Sequence, residues 1–188
     1  MPPSLLDLNR YVYQEAAPRE GRRLLQTALS AELIAPSPCL WVVSAWISNI
    51  PVLDNRANGF RAVEPRWPIG RVPLATVIAQ LLHAGVTVHL ATRPESSADF
   101  IAALEQAAGY DGRPTPSCPL YLHTETELDQ HRKGILSHRF YLRGTMNFTH
   151  NGIGVNDERV EFTVDPEAVA NARGHFEEQW GGPFPGAT

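Results

Sequence analysis

Apolar positions along the chain alternate between two spacings. Leu24, Leu25, Ala28, Leu29 and Leu33 fall three or four apart, which predicts a helix from Arg19 to Ile34, stopped by Pro36. Cys39 to Ile47 (C-L-W-V-V-S-A-W-I) is a short apolar run of β-formers and reads as a buried strand. Ser48 to Pro73 carries Asn, Gly and four prolines and reads as a long loop, of the kind used as a lid or substrate wall. Helical spacing returns from Val72 to Ala84, with Leu74, Val77, Ile78, Leu81 and Leu82 on one side and Gly85 closing it. Val86 to Thr92 is the next strand. Ser96 to Ala108 reads as a helix, capped by Ser96 or Ser97 and closed by Gly109, and Pro119 to Thr124 as a further strand.

Helices alternating with buried strands imply an α/β layered fold with a largely parallel core. The second half differs. Lys133–Ser137 and Phe140–Gly144 read as two short strands joined by a tight turn, followed by a strand over Asp157–Val164. A final helix spans Asp165–Trp180, with Asp165 as N-cap and Pro166 in the first turn. Residues 1–18 are expected to be an irregular arm, 19–180 a single domain, and 181–188 a flexible tail. There is no internal repeat, so the chain holds one copy of any motif.

A length of 188 residues suits one domain, and 43% hydrophobic with 19% charged residues is ordinary for a globular protein. No apolar run reaches the length of a membrane span, and Met1 to Glu20 has no secretory pattern, so a cytoplasmic location is expected. Cys39 and Cys118, the two cysteines, lack zinc-site spacing and are expected as free buried thiols. The net charge of −4 argues against a protein coated with basic residues. Its distribution changes that picture. From Gln130 to Asn156 there is no Asp or Glu, while Arg132, Lys133, Arg139 and Arg143 all fall there. Such a stretch is either a solvated basic face or an anion site, with Arg132, Arg139 and Arg143 as candidate nucleic-acid contacts.

The chemistry concentrates in the same stretch. His131 and Lys133 are two apart, so on a strand they share a face. Gly144 permits close backbone approach, Thr145 and Asn147 are again two apart, and Glu158 follows in N-D-E. Phosphodiester cleavage needs these types. An ammonium, a hydroxyl and an amide hold phosphate oxygens, an imidazole attacks phosphorus, and a carboxylate fixes that imidazole's tautomer. His123, His131, His138 and His150 also crowd this region, but without H-E-x-x-H or Cys/His pair spacing, so neither metal nor cofactor is expected.

The ordered set resembles the phospholipase D signature, H-x-K-x4-D-x6-G-S-x-N. The resemblance implies an α/β/α sandwich with a mixed, partly parallel central sheet, and a metal-independent phosphohistidine mechanism. It implies His131 as nucleophile, Lys133, Thr145 and Asn147 as phosphate ligands, and Glu158 as the acid orienting the histidine. The sequence departs from the signature in three ways: His138 stands where the family has Asp, the spacer to Gly144 is one residue short, and Thr145 replaces Ser. A tighter turn between His138 and Phe140 would absorb the short spacer. The mechanism uses two histidines, so a one-motif chain implies a homodimer with His131 of each copy facing across a two-fold axis. Trp46–Asn55 (W-I-S-N-I-P-V-L-D-N) and Y-L-R-G-T-M-N-F-T-H-N-G are similar to the phospholipase D-like component encoded with bacterial deazaguanine DNA-modification clusters. That similarity implies a nucleic-acid substrate and partners among the other proteins of such a system. Two alternatives stand beside a nuclease: a non-catalytic nucleic-acid-binding or assembly subunit, and a phospholipase. His138 keeps the first open, and Arg61, Arg66 and Arg71 interleaved with Phe60 and Trp67 read either as a nucleic-acid contact or as an ordinary surface loop. The second lacks an amphipathic basic helix, so no membrane partner is expected.

Overall fold

A computed structural model describes residues 10–13, 20–124, 133–144, 147–149 and 159–184. The described strands are β1 (Arg10–Tyr13), β2 (Cys39–Val43), β3 (Pro51–Asp54), β4 (Arg71–Pro73), β5 (Thr87–Ala91), β6 (Leu120–His123), β7 (Gly134–Leu136), β8 (Tyr141–Gly144) and β9 (Arg159–Thr163). The described helices are α1 (Glu20–Ile34), α2 (Leu74–His83), α3 (Pro94–Ala108) and α4 (Pro166–Trp180). Seven strands form one sheet in the order β1-β9-β8-β7-β2-β5-β6, and β3 pairs with β4 in a second, two-stranded sheet. β2, β5 and β6 are mutually parallel, and the remaining pairs of the large sheet are antiparallel. The expected mixed, partly parallel sheet of an α/β fold is therefore present.

Strand alternation divides the core in two. Leu40 and Val42 of β2, with Val88 and Leu90 of β5, face the core shared with α1, α2 and α3. Cys39, Trp41 and Val43 face the other way and pack with Val169, Phe176 and Trp180 of α4. β2 is thus buried on both faces, as its unbroken apolar run predicts. Burying each such side chain contributes about 1.5–3 kcal/mol before entropy is counted. Cys39 and Cys118 are free and buried, and burial pushes the Cys39 thiol far above its ordinary range.

On the α4 face, four rings stand in a near-parallel row across the strands. Trp41 stacks between His138 and His89, at 6.0 and 6.1 Å, and His89 stacks on Tyr121 at 4.7 Å. His89 Nε2 lies 2.8 Å from the Gly182 carbonyl, which can only accept, so that nitrogen carries the proton. His89 Nδ1 then accepts from His123 Nε2 at 3.0 Å. Burial pushes the pKa of both imidazoles down.

The structure corrects several expectations. Arg10–Tyr13, within the expected arm, is a strand paired antiparallel with β9. The start of the expected flexible tail is docked on the sheet: Trp41 Nε1 donates to Gly181 O at 2.9 Å and Phe184 N to Thr87 Oγ1 at 2.7 Å. Residues 185–188 lie outside the described residues. β2 ends at Val43, four residues before the expected end, because Ser44 Oγ turns to donate to Trp46 O. The Ser48–Pro73 stretch is not one open loop. It forms the β3–β4 pair against α1 and α2, with buried Asn55 as its hub. Asn55 Nδ2 donates to Pro68 O at 3.0 Å and Oδ1 accepts from Phe60 N at 3.1 Å. Trp67 is buried beside Phe60, and Arg66 is bonded to Glu64, so that stretch does not present the stacking surface weighed from sequence. α3 begins at Pro94, and neither Ser96 nor Ser97 caps it, because Ser97 is drawn into a tertiary contact. The Asp165 cap is as expected, accepting from Ala168 N at 2.8 Å.

Candidate active site

Strand register brings the termini of several strands to one end of the large sheet. Val43, the last residue of β2, pairs with Gly134, the first of β7, and Gly134 pairs with Arg143 near the end of β8. Gly144 closes β8 opposite Val160 at the start of β9, and its N–H donates to Lys133 O at 3.2 Å. Ser44 N donates to Ala91 O at 3.0 Å, so β5 also ends here. Lys133, Ser44, Gly144, Thr92 and the first residues of β9 are therefore neighbours along one rim, although up to 116 positions separate Ser44 from Val160 in the chain.

Lys133 and Asn147 are both half-buried at this rim. Asn147 is held by a short parallel bridge between Ile47 and Phe148, in which Ser48 N donates to Phe148 O at 2.8 Å. Ser44 Oγ donates to Trp46 O at 2.9 Å and lies 3.3 Å from Asn147 Oδ1. Behind the bridge, Ser97 Oγ accepts from Ile47 N at 2.9 Å and pairs with Thr92 Oγ1 at 2.7 Å. Asn49 Oδ1 accepts from Ala75 N at 3.0 Å, capping α2 from outside the helix. Ser44, Thr92 and Ser97 are buried, and sequence reasoning missed them as supports of the site. The usable signal was a hydroxyl at the end of each apolar strand run, C-L-W-V-V-S and V-H-L-A-T.

His131, Arg132, Thr145 and Glu158 lie outside the described residues. Lys133, Gly144 and Arg159, their described neighbours in sequence, lie on this rim. Of the remaining expected contacts, Arg143 lies at the rim and its guanidinium is bonded twice to Glu161, at 2.9 and 2.8 Å. Arg139 lies at the opposite end of the sheet, 3.1 Å from the buried Glu32 carboxylate.

His138 is at that opposite end too, in a two-residue turn between β7 and β8. Ser137 N donates to Phe140 O at 3.0 Å, and Ser137 Oγ accepts from the Arg139 and Phe140 N–H groups. His138 stacks on Trp41, its Nδ1 lies 3.4 Å from Arg173, and burial pushes its pKa down. The replacement of the signature Asp thus falls a strand's length from Lys133. His123 ends β6, so it and His138 stand at opposite ends of the sheet; His131 and His150 are outside the described residues. Among the described residues, no cluster of three or more His, Cys, Asp or Glu is arranged to hold a metal ion. No described helix is long and apolar enough to cross a membrane.

No protein-family model matches the sequence, and no curated protein matches it. Solved structures do share its fold. Nuc from Salmonella typhimurium, a phospholipase D family member, matches with a TM-score of 0.56 and 17% identity over 94% of this chain and 97% of its own. NucT from Helicobacter pylori matches with a TM-score of 0.54 and 12% identity, over 90% and 93%. TrmBL2, an archaeal chromatin protein that binds DNA, matches with a TM-score of 0.50 and 14% identity over 94% of this chain and 54% of its own. The chain therefore has the fold of a phospholipase D family member.

Proposed function

We propose that this protein is a metal-independent phosphodiesterase acting on nucleic acid, with its active site at the Lys133–Asn147 rim and completed by a second copy of the chain. The observation that carries the reading is the meeting of Lys133 and Asn147 at one sheet end, on a fold shared almost end to end with Nuc. In the proposed reaction a ring nitrogen of His131 attacks phosphorus while the bond to the leaving alcohol breaks. The leaving oxygen takes its proton from the partner subunit's His131. That imidazole then accepts a proton from water, whose oxygen attacks phosphorus and breaks the P–N bond. Lys133, Thr145 and Asn147 hold the non-bridging oxygens, and Glu158 stabilises the imidazolium that develops. The similarity to the deazaguanine-cluster component favours DNA as substrate, in DNA modification or defence.

The test is hydrolysis of single- and double-stranded DNA, RNA and a phosphatidylcholine analogue, all in EDTA, beside His131→Ala and Lys133→Ala. Nucleic-acid cleavage that survives EDTA and is lost in both variants supports the proposal. A requirement for added metal, or preference for the lipid, contradicts it, as does full activity from a species that sediments as a monomer. A second reading, DNA binding without cleavage, is favoured by the fold shared with the DNA-binding TrmBL2. Binding with no turnover in any variant would select it.

A further inference from the structure

Among the described residues, Trp46 is the one large aromatic side chain left exposed at the rim, with 53% of its surface open. The other three tryptophans, Trp41, Trp67 and Trp180, are at most 9% exposed. A lone exposed tryptophan is unremarkable in itself. Its register with Asn147 gives it meaning. Ile47 and Phe148 pair as a parallel bridge, and both are buried in the core at 1% exposure. Trp46 and Asn147 each precede one of these residues, so they sit side by side on neighbouring backbones, about 4.8 Å apart. Ile47 and Phe148 turn into the core, while Trp46 is exposed and Asn147 is half-buried. Ser44 Oγ lies against both, donating to Trp46 O at 2.9 Å and approaching Asn147 Oδ1 at 3.3 Å. Arg93, half-buried just beyond β5, ties this segment to the sheet, its backbone N–H donating to Ala45 O at 3.4 Å.

We infer that Trp46 is a stacking platform for a nucleobase next to the phosphate held by Lys133 and Asn147. The neighbouring base of a single strand would lie on the indole while its phosphate sits on the amide, an arrangement open to any base because every base has a π-face. The inference rests on the phosphodiesterase reading and narrows it to substrates with unpaired, accessible bases.

The test compares an oligothymidylate with an abasic deoxyribose-phosphate oligomer of the same length, by fluorescence anisotropy and tryptophan emission. The oligothymidylate should quench wild-type emission and the abasic oligomer should not, since Trp46 is the exposed fluorophore. Trp46→Ala should weaken oligothymidylate binding by about 5- to 100-fold and leave the abasic affinity unchanged, with Trp46→Tyr recovering most of the loss. Lys133→Ala should weaken both oligomers alike. Equal loss on both oligomers, or on neither, in Trp46→Ala would overturn the platform while leaving the phosphodiesterase reading intact. So would a change in sedimentation without loss of base affinity, which would assign Trp46 to a contact between copies. Unchanged affinities in Lys133→Ala would instead refute the phosphodiesterase reading, and with it the pairing of platform and phosphate site.

Discussion

Replacing Glu32 by alanine removes the carboxylate that ties α1 to the β7–β8 turn, at the end of the sheet away from Lys133. Glu32 is 0% exposed and accepts from Ser37 N at 2.8 Å, Ser37 Oγ at 3.1 Å and Arg139 Nη2 at 3.1 Å. The partners differ in what they lose. The Ser37 N–H is buried and has no water to turn to, which costs about 1–3 kcal/mol. The Ser37 hydroxyl can rotate toward another acceptor, so it adds less. Arg139 has a side chain 44% exposed and regains solvent, so its share is only about 0–1 kcal/mol. The emptied space adds a packing loss, giving a total of about 3–5 kcal/mol, in the range for breaking a buried ion pair. Glu32→Gln keeps the shape and one acceptor and should cost about 1–2 kcal/mol. Urea denaturation at pH 7 measures both, and turnover per folded molecule should stay within about twofold, because the cluster is remote from the rim. A Glu32→Ala loss below about 1 kcal/mol would refute the view that this buried carboxylate anchors the hairpin. A collapse of turnover in a fully folded Glu32→Gln protein would refute the separation of anchor from chemistry.

Other predictions follow from single contacts. A Cβ at Gly134 would lie 2.7 Å from Leu142 O and 2.9 Å from the Tyr141 ring, so Gly134→Ala should cost about 1–3 kcal/mol and lower turnover by shifting Lys133 beside it; wild-type stability and rate would contradict this. His138→Asp restores the signature residue but gives up the ring on Trp41, so it should lose about 0.5–1.5 kcal/mol and change kcat less than about threefold; a tenfold gain in kcat would show that the turn position takes part in chemistry. His89, His123 and His138 all have pKa values pushed below 6.5 by burial, so the unfolded chain binds more protons than the folded one as pH falls. Their contribution is therefore complete above about pH 6.5 and lost as pH drops through the folded values, and urea midpoints equal at pH 7.5 and 5.5 would contradict it.

Much of the fold was legible because period and burial agree. Leu40, Val42, Val88 and Leu90 lie in continuous apolar runs, and such runs describe strands buried on both faces. The tight β7–β8 turn could likewise be anticipated from a spacer one residue short. What escaped was set by partners distant in sequence. Gly181 and Phe184 look like tail residues until Trp41 and Thr87, 140 and 97 positions earlier, supply their hydrogen-bond partners. Ser97 reads as a helix cap, yet its hydroxyl serves Ile47, 50 positions back. Asn55 gives no periodic signal, and its side chain organises the β3–β4 excursion through turn carbonyls and N–H groups that pattern reading does not see. Motif spacing singled out Lys133 and Asn147 as candidates, whereas Ser44 and Trp46 drew notice only through the register of the Ile47–Phe148 bridge.

The most direct measurement is a search for the covalent intermediate. Wild-type protein is mixed with a single-stranded oligonucleotide in EDTA, quenched within the first turnover at neutral to alkaline pH, and examined by intact-protein and peptide mass spectrometry. The expected result is a nucleotidyl or phosphoryl adduct on His131 that appears with the first product, is absent in His131→Ala, and falls with turnover in Lys133→Ala. Cleavage with no adduct at His131, or cleavage that begins only when a divalent metal is added, would contradict it.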